Sequence, residues 1–196
     1  MGEAMTDLVT RTDLFTQRAG AGELFSQRIF DDLRKWNYQV ALNGTEHTHK
    51  DFMRNIQFSE DSTSLTIRYQ PDGVMSFGNR PCKSAYVEAK RSKTIERNAY
   101  ENYYRLHDTG AIVFVVFGVT NITFDIVFCR IEDLKFEPLP YTSKWPISDG
   151  WFYPRLHPNW EQIRKTFPGS GTPFRYIDQK YLLPWQLFKS FINKLG

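Results

Sequence analysis

The sequence lacks the features that mark disulfide-rich, zinc-binding and membrane proteins. It contains only two cysteines, Cys82 and Cys129, and their spacing matches no metal-binding pattern. Two lone thiols favour a reducing compartment. The longest apolar run, residues 111–119, has nine residues, about half of what a membrane helix needs. The sequence therefore predicts a cytoplasmic protein with no membrane partner.

Length and composition are those of one globular domain. The chain has 196 residues, of which 41% are hydrophobic and 24% charged, enough for a single core. The net charge of +3 is small, but between Arg80 and Arg105 seven basic residues stand against three acids, a local charge of +4. Such a cluster suits a phosphate backbone. A solvated helix face with ion pairs would give the same pattern.

Hydrophobic periodicity predicts an α/β fold with a mixed central sheet. A strand, a helix and a further strand in succession predict a parallel pair joined by a crossover. Apolar positions at helical spacing predict the helices, and short β-branched runs predict the strands. The predicted helices cover residues 23–36, 94–107 and 184–195, and the predicted strands cover 38–42, 64–70, 85–90, 111–119 and 121–131, with residues 74–77 as a continuation of the second strand.

The character of the chain changes after residue 136. Eight of the ten prolines follow this point, and aromatic residues are dense from Trp145 to Trp160. We predict an N-terminal arm at 1–21, a core at 22–136, and an irregular aromatic and proline-rich C-terminal extension at 137–196, packed on the core. Its aromatic rings either fill gaps in the core or stack on bases. The turn at 167–171 lacks the Gly-Lys-Ser/Thr of a phosphate loop, which predicts no nucleotide cofactor.

One motif in the sequence is typical of a metal-dependent catalytic site. It consists of Pro71-Asp72, fifteen further residues, and then Glu88-Ala89-Lys90. Alternate side chains of a strand share a face, so Glu88 and Lys90 are neighbours there. Asp72 ends the predicted strand at 64–70, and Glu88 lies in the predicted strand at 85–90. If these two strands pair as a hairpin, Asp72 comes close to Glu88. Adjacent carboxylates repel unless a cation lies between them, and hard oxygen ligands suit Mg²⁺ or Mn²⁺. A turn pair followed by an exposed, salt-bridged strand is the alternative interpretation.

Over roughly residues 22–120, this motif and the order of predicted elements around it resemble the PD-(D/E)xK nucleases. That superfamily includes restriction endonucleases, archaeal-type Holliday junction resolvases and phage nucleases. The small size of this chain suits a phage or mobile-element nuclease, which would act in the host cytoplasm. The resemblance implies a restriction-endonuclease-like core and a metal-dependent DNA endonuclease. It implies that Asp72 and Glu88 bind Mg²⁺ or Mn²⁺, and that Lys90 assists the water that attacks phosphorus, leaving a 5′-phosphate.

The resemblance also implies a third acid, and here the chain departs from the pattern. The expected position on the first helix holds Ser26 or Gln27 rather than glutamate. Glu46, in a polar stretch, is our preferred candidate for a further catalytic and metal-binding acid, and Glu23 is the other. With Asp72 and Glu88 alone the site would hold one metal, completed by the backbone carbonyl of Ala89; a second metal would need the extra acid.

Basic residues after the motif predict contacts to DNA. We expect Arg91, Lys93 and Arg97 to meet phosphates. A homodimer is expected if both strands are cut, because one site cuts one strand. Two alternatives stay open: a catalytically silent nucleic-acid-binding or assembly protein that keeps the fold, and a nuclease specific for RNA or single strands.

Overall fold

The computed structural model describes residues 20–43, 61–78, 82–119, 125–134, 136, 146–166 and 171–195. The helices are α1 (20–35), α2 (Ser62–Arg68), α3 (Arg97–Asp108), α4 (Trp160–Thr166) and α5 (Phe188–Leu195). The strands are β1 (Gln39–Leu42), β2 (Gly73–Phe77), β3 (Lys83–Lys90), β4 (Thr94–Glu96), β5 (Ile112–Val119), β6 (Asp125–Arg130), β7 (Ile147–Ser148), β8 (Trp151–Phe152), β9 (Phe174–Tyr176) and β10 (Leu183–Pro184).

The described strands form two sheets. The main sheet is mixed and six-stranded, with the order β1-β2-β3-β5-β6-β10. The second sheet, which we call the small sheet, has the order β4-β9-β8-β7.

The centre of the main sheet is the pair β3 and β5. These strands run parallel, with Ala85 opposite Ile112 and Lys90 opposite Phe117, and α3 connects them. Strands β2 and β6 flank this pair, and both are antiparallel to their neighbours. The predicted mixed α/β fold is therefore confirmed at this level of detail.

The main sheet separates two hydrophobic cores. Along β5, Phe114 and Val116 face one core, while Val115 and Phe117 face the other. This alternation is what a central strand buried on both faces requires. Helices α1 and α5 cover the first face with Ile29, Leu33, Phe188 and Ile192. Helix α3 and the small sheet cover the second with Ile95, Ala99, Tyr103 and Trp151.

The strand predicted at residues 64–70 is wrong, because this segment forms α2 and its C-terminal cap. Alternating Leu65, Ile67 and Tyr69 imitate strand periodicity. The local signal that decides is Asp61, whose side chain accepts a hydrogen bond from the amide of Ser64 at 2.9 Å and caps the helix. Asp72 consequently precedes β2 instead of ending an earlier strand.

The helix predicted at residues 94–107 begins later than expected. Thr94–Glu96 form β4, which pairs with β9, and α3 starts at Arg97. Two causes act together: Thr94 and Ile95 are β-branched and prefer strands, and Ile95 is fully buried. Glu96 then lies at the N-cap of α3 with an extended backbone.

The C-terminal residues contribute to both sheets. Strand β9 lies in the small sheet, β10 pairs with β6 at one edge of the main sheet, and α5 begins at Phe188, four residues later than predicted. The boundary that we predict at residue 137 stays a prediction. The N-terminal arm lies outside the described residues, except that α1 already includes residues 20 and 21. None of the described helices has both the length and the apolar character needed to span a membrane.

Candidate active site

Asp72 and Glu88 lie side by side at the open end of the β2–β3 hairpin. Gly73 pairs with Val87 in this hairpin, so the next positions along each chain are Asp72 and Glu88. The amide of Asp72 donates a hydrogen bond to Glu88 Oε2 at 3.2 Å, and the amide of Ala89 donates one to Asp72 Oδ2 at 3.0 Å. Both acids are more than nine-tenths buried. The hairpin register therefore places two carboxylates in one buried position.

Gly73 fixes where Asp72 stands. A Cβ atom at Gly73 would lie 2.7 Å from Cε1 of Phe30 on α1 and 2.9 Å from the carbonyl oxygen of Ala41 on β1. Only glycine allows β2 to approach both elements this closely. The carbonyl of Asp72 also accepts a hydrogen bond from the amide of Asn43 at 2.8 Å. The backbone of Asp72 is thus held from two sides.

Ser26 of α1 also contacts Asp72. Its hydroxyl donates a hydrogen bond to Asp72 Oδ2 at 2.7 Å, and the side chain is buried. Together with the amide of Ala89, it gives Asp72 Oδ2 two donors. A charge-assisted bond of this length orients the carboxylate. Ser26 stands where the resemblance implies a glutamate, so the first helix does reach the site, with a hydroxyl in place of an acid.

Lys90 and Tyr103 complete the surroundings of Glu88. Lys90 Nζ lies 2.8 Å from Glu88 Oε1, as two alternate residues on one strand face should. The Tyr103 hydroxyl, on α3 and almost fully buried, donates a hydrogen bond to the Glu88 carboxylate. Glu88 is therefore contacted by an ammonium, a phenol and a backbone amide.

The electrostatics of the site reflect burial opposed by pairing. Burial raises the pKa of Glu88; Lys90 lowers it and the neighbouring charge of Asp72 raises it further, with a net rise from 4.5 to about 7. For Lys90, burial lowers the pKa, but the negative charges of Glu88, Glu96 and Asp72 outweigh this effect and raise it. Lys90 therefore stays protonated at neutral pH, and it lies next to the Glu88 carboxyl, whose charged form is destabilised by burial.

Glu96 is a further acid in the electrostatic environment of the site. It stands at the N-cap of α3, and its charge is the second largest of those that raise the pKa of Lys90. Lys90 is thus influenced by one acid on its own strand and one at the start of the following helix. Sequence reasoning assigned no role to Glu96.

The three basic residues predicted to meet phosphates differ in their contacts. Arg91 is exposed. Lys93 donates a hydrogen bond from Nζ to Gln179 Oε1 at 3.2 Å. Arg97 is bound to Glu101 at 2.8 Å and to the hydroxyl of Tyr153. All three lie on or just before β4 and α3, immediately after the motif.

The third acid is not found among the described residues. Glu46 lies outside them, and Glu23 is exposed on α1, three residues before Ser26. Within the part of the chain that the structure describes, no group of three His, Cys, Asp or Glu side chains is placed to hold a metal ion. Of the acids predicted to bind a metal, the structure brings Asp72 and Glu88 together.

A cavity of about 140 Å³ lies beside the start of β5 and the end of α3. Its lining includes His107, Arg130 and Glu132, and none of the predicted site residues. These polar groups pair with one another, since His107 Nε2 is 3.3 Å from Glu132 Oε2 and Arg130 also contacts Glu132. The candidate site is therefore the hairpin end, where the two buried acids Asp72 and Glu88 adjoin.

Sequence reasoning missed Tyr103 and treated Ser26 only as a departure from a pattern. Tyr103 follows Ala99 at helical spacing on the buried side of α3, a signal that the sequence does contain. Tyr100 and Tyr104 of the same helix pack only partly buried against the core. Comparisons with models of known families, with characterised proteins and with solved structures gave no match to this chain.

Proposed function

We propose that this protein is a metal-dependent nuclease of the PD-(D/E)xK type that hydrolyses phosphodiester bonds. One observation carries the proposal: two buried carboxylates, Asp72 and Glu88, adjoin across a hairpin, with the ammonium of Lys90 at 2.8 Å from the second. Burying two like charges together is costly unless cations compensate them. A structural ion pair would need one acid, and here there are two.

The order of elements supports the same proposal. Helix α1, strands β1, β2 and β3, helix α3 and strand β5 follow one another in the order of the restriction-endonuclease-like core. Helix α2 stands between β1 and β2, and the short β4 precedes α3, as additions to that order. The acids lie at the end of β2–β3 that faces α1 and α3, which contribute Ser26 and Tyr103.

The residues fit a hard divalent cation such as Mg²⁺ or Mn²⁺. Carboxylate oxygens are the ligands that these ions prefer, and Asp72 and Glu88 would hold the ion. When bound, the metal supplies charge neutralisation to the phosphate and a more acidic water. Ser26 and the amide of Ala89 orient Asp72, while Tyr103 and the amide of Asp72 orient Glu88.

Lys90 has the remaining role. Its ammonium donates hydrogen bonds and stays protonated, because the surrounding acids raise its pKa. It is therefore suited to orient a water or to stabilise the charge that develops on a phosphate oxygen. In the overall reaction the water oxygen forms a bond to phosphorus, and the bond from phosphorus to the leaving oxygen breaks. The leaving oxygen takes a proton.

The second candidate is a nucleic-acid-binding protein that keeps the fold and does not cut. It is favoured by the donor set, which among the described residues has two acids and no third ligand. The basic segment around Arg91 and Lys93 would serve binding in either case. The two candidates differ in one respect, namely whether a divalent cation makes the protein hydrolyse a phosphodiester.

The deciding experiment is a cleavage assay with supercoiled plasmid, linear duplex and single-stranded oligonucleotide. Each is incubated with Mg²⁺, Mn²⁺ or EDTA. The Asp72→Asn and Lys90→Ala variants should lose metal-dependent cutting by about 100-fold or more. Asp31→Asn and Lys35→Ala are matched controls, since both residues are on α1 in exposed i,i+3 ion pairs. Retained binding with no cutting of any substrate would favour the second candidate.

A further inference from the structure

The small sheet has two unlike faces. Ile95 and Arg175 pair with each other and point into the core together with Trp151, and all three are buried. Their neighbours alternate to the opposite face, where Thr94 pairs with Tyr176 and Glu96 with Phe174. Phe152 pairs with Phe174 on the same side. This second face is therefore lined by aromatic rings.

Three rings on that face form one cluster, which we call the aromatic platform: Phe152, Phe174 and Tyr176. Phe152 and Phe174 stack with centroids 5.4 Å apart and planes at 28°. Tyr176 lies 5.9 Å from Phe152 and 5.7 Å from Phe174, edge-on to both. Phe152 is buried, but Tyr176 is 58% exposed. Phe152 and Phe174 thus pack against the ring of Tyr176, which lies at the protein surface.

The platform is connected to the candidate active site through β4. Phe174 stands opposite Glu96, and the charge of Glu96 acts on Lys90. Only residues 91–93 separate β3, which carries Lys90, from β4. The amide of Ile177, next to Tyr176, donates a hydrogen bond to the carbonyl of Lys93 at 2.9 Å. The exposed ring and the basic turn are therefore neighbours in the fold.

We infer that the aromatic platform stacks an unpaired nucleobase of the strand bound at the active site. This inference rests on the proposed function and deepens it by naming the substrate class: single-stranded nucleic acid, or a duplex with unpaired nucleotides. A nucleobase has flat, apolar faces that stack on an exposed ring such as that of Tyr176. The phosphates of the same strand would pair with Arg91 and Lys93. In a duplex both faces of a base are covered by its neighbours, so a stacking platform selects bases that are unpaired.

Other aromatic residues of the C-terminal region differ from Tyr176 because their side chains pack within the fold. Trp151 is buried, and Tyr153 contacts Arg97, so these two rings belong to the packing of the fold. Among the described residues, the large hydrophobic side chains that are exposed are leucines, with Tyr176 as the one aromatic residue. Its neighbours make it a surface for stacking and not an isolated exposed ring.

The test measures binding of oligonucleotides in EDTA, where no cutting occurs. The probes are a single-stranded DNA and a single-stranded RNA of the same sequence, each with one 2-aminopurine, and a DNA duplex. Tyr176→Leu keeps an apolar side chain on Phe152 and Phe174 but removes the ring, and Tyr176→Phe keeps the ring. We expect Tyr176→Leu to weaken single-strand binding on the order of 10-fold, to remove the quenching of 2-aminopurine, and to leave duplex binding unchanged.

Tyr176→Phe should bind single strands as the wild type does, and equal thermal melting of the three proteins excludes a folding defect. Lys93→Ala should weaken single strands and duplex alike, because a phosphate contact does not depend on base exposure. The DNA and RNA probes decide which sugar the site prefers. Unchanged single-strand affinity of Tyr176→Leu, or an equal loss for the duplex, would overturn the platform. The cleavage assay tests the proposed function separately. If the wild type cuts but Tyr176→Leu binds single strands normally, the stacking role of the platform is wrong and the nuclease proposal stands. If Tyr176→Leu loses single-strand binding but the wild type does not cut, the nuclease proposal is wrong and the stacking role stands.

Discussion

The amide of Asp72 donates a hydrogen bond to the carboxylate of Glu88 at 3.2 Å, so the backbone of one acid helps to neutralise the side chain of the other. The amide of Ala89 completes the exchange by donating to Asp72 Oδ2 at 3.0 Å. Amide donors favour the charged form of a carboxylate. The hairpin itself thus offsets part of the repulsion that arises from placing the two acids together.

Ser26→Ala should weaken metal use more than folding. The variant removes the 2.7 Å hydrogen bond that orients Asp72, and loss of such a partner to a ligand costs about 10- to 100-fold in metal affinity or activity. The measurement is the Mg²⁺ concentration for half-maximal cleavage, which should rise. Ser26→Thr keeps a hydroxyl that can donate to Asp72, so its Mg²⁺ requirement should stay close to that of the wild type. Ser190→Ala, at an exposed position of α5, is the control and should change nothing; an unchanged Mg²⁺ requirement in Ser26→Ala would refute this role.

Glu88→Gln should stabilise the metal-free protein at alkaline pH. Because the pKa of Glu88 in the folded protein is raised from 4.5 to about 7, the folded chain holds this proton more tightly than the unfolded chain. The resulting stabilisation is fully present below about pH 4.5 and is lost as pH rises through about 7. Above that pH, the charged, buried carboxyl costs up to ~3 kcal/mol relative to a neutral side chain.

Urea unfolding of the two proteins in EDTA at pH 5 and pH 8 measures this cost. The free energies of unfolding should nearly agree at pH 5, and Glu88→Gln should be the more stable at pH 8. Adding Mg²⁺ at pH 8 should stabilise the wild type and leave Glu88→Gln unchanged, since ligand binding stabilises the folded state that binds it. A wild type that is more stable than Glu88→Gln at pH 8 in EDTA would contradict the burial argument.

Gly73→Ala should destabilise the fold. The added Cβ would lie 2.7 Å from the ring of Phe30 and 2.9 Å from the carbonyl of Ala41, and the backbone cannot rotate away as a side chain can. Overpacking of this kind costs roughly 1–3 kcal/mol. Gly22→Ala is the matched control: nothing lies within 4 Å of its Cβ, and alanine should stabilise α1 by about 0.5–1 kcal/mol. Thermal unfolding of both variants should therefore shift in opposite directions.

Much of the fold follows from patterns that the sequence shows directly. The run at residues 111–119 is apolar on both faces, and the structure makes it the central strand β5. The structure does bring Asp72 and Glu88 together, but the hairpin that does so pairs β3 with β2 (Gly73–Phe77) and not with the strand predicted at 64–70. Their metal and catalytic roles, like those of Lys90, stay predictions. These successes depend on local periodicity, which tertiary contacts reinforce.

The failures have physical causes of two kinds. At residues 62–68 the alternating Leu65, Ile67 and Tyr69 concealed a helix, because one capping side chain, that of Asp61, outweighs the strand-like pattern. At residues 94–96 a strand forms because a partner, β9, lies about eighty residues away, and no local pattern shows such a partner. The contribution of Tyr103 was missed for the same reason, since α3 reaches Glu88 only after the crossover is formed.

Asp61→Ala tests the helix that replaced the predicted strand. Removing the side chain that caps the amide of Ser64 should lower the free energy of unfolding by about 1 kcal/mol, whereas Asp61→Asn should retain most of the stability. The helix also matters for α3, because Asn102 Nδ2 donates a hydrogen bond to the carbonyl of Tyr69 at its C-terminal end, at 2.7 Å. Equal unfolding of Asp61→Ala and the wild type would show that this cap contributes nothing.

The most direct test of the central claim separates holding the metal from using it. Binding of Mn²⁺ and metal-dependent cleavage are measured on the same preparations of wild type, Asp72→Asn and Lys90→Ala. If Asp72 and Glu88 hold the ion and Lys90 acts on water or phosphate, Asp72→Asn loses both binding and cleavage, while Lys90→Ala binds Mn²⁺ at least as well as the wild type and does not cut. Undiminished Mn²⁺ binding by Asp72→Asn, or full cleavage by Lys90→Ala, would contradict the account.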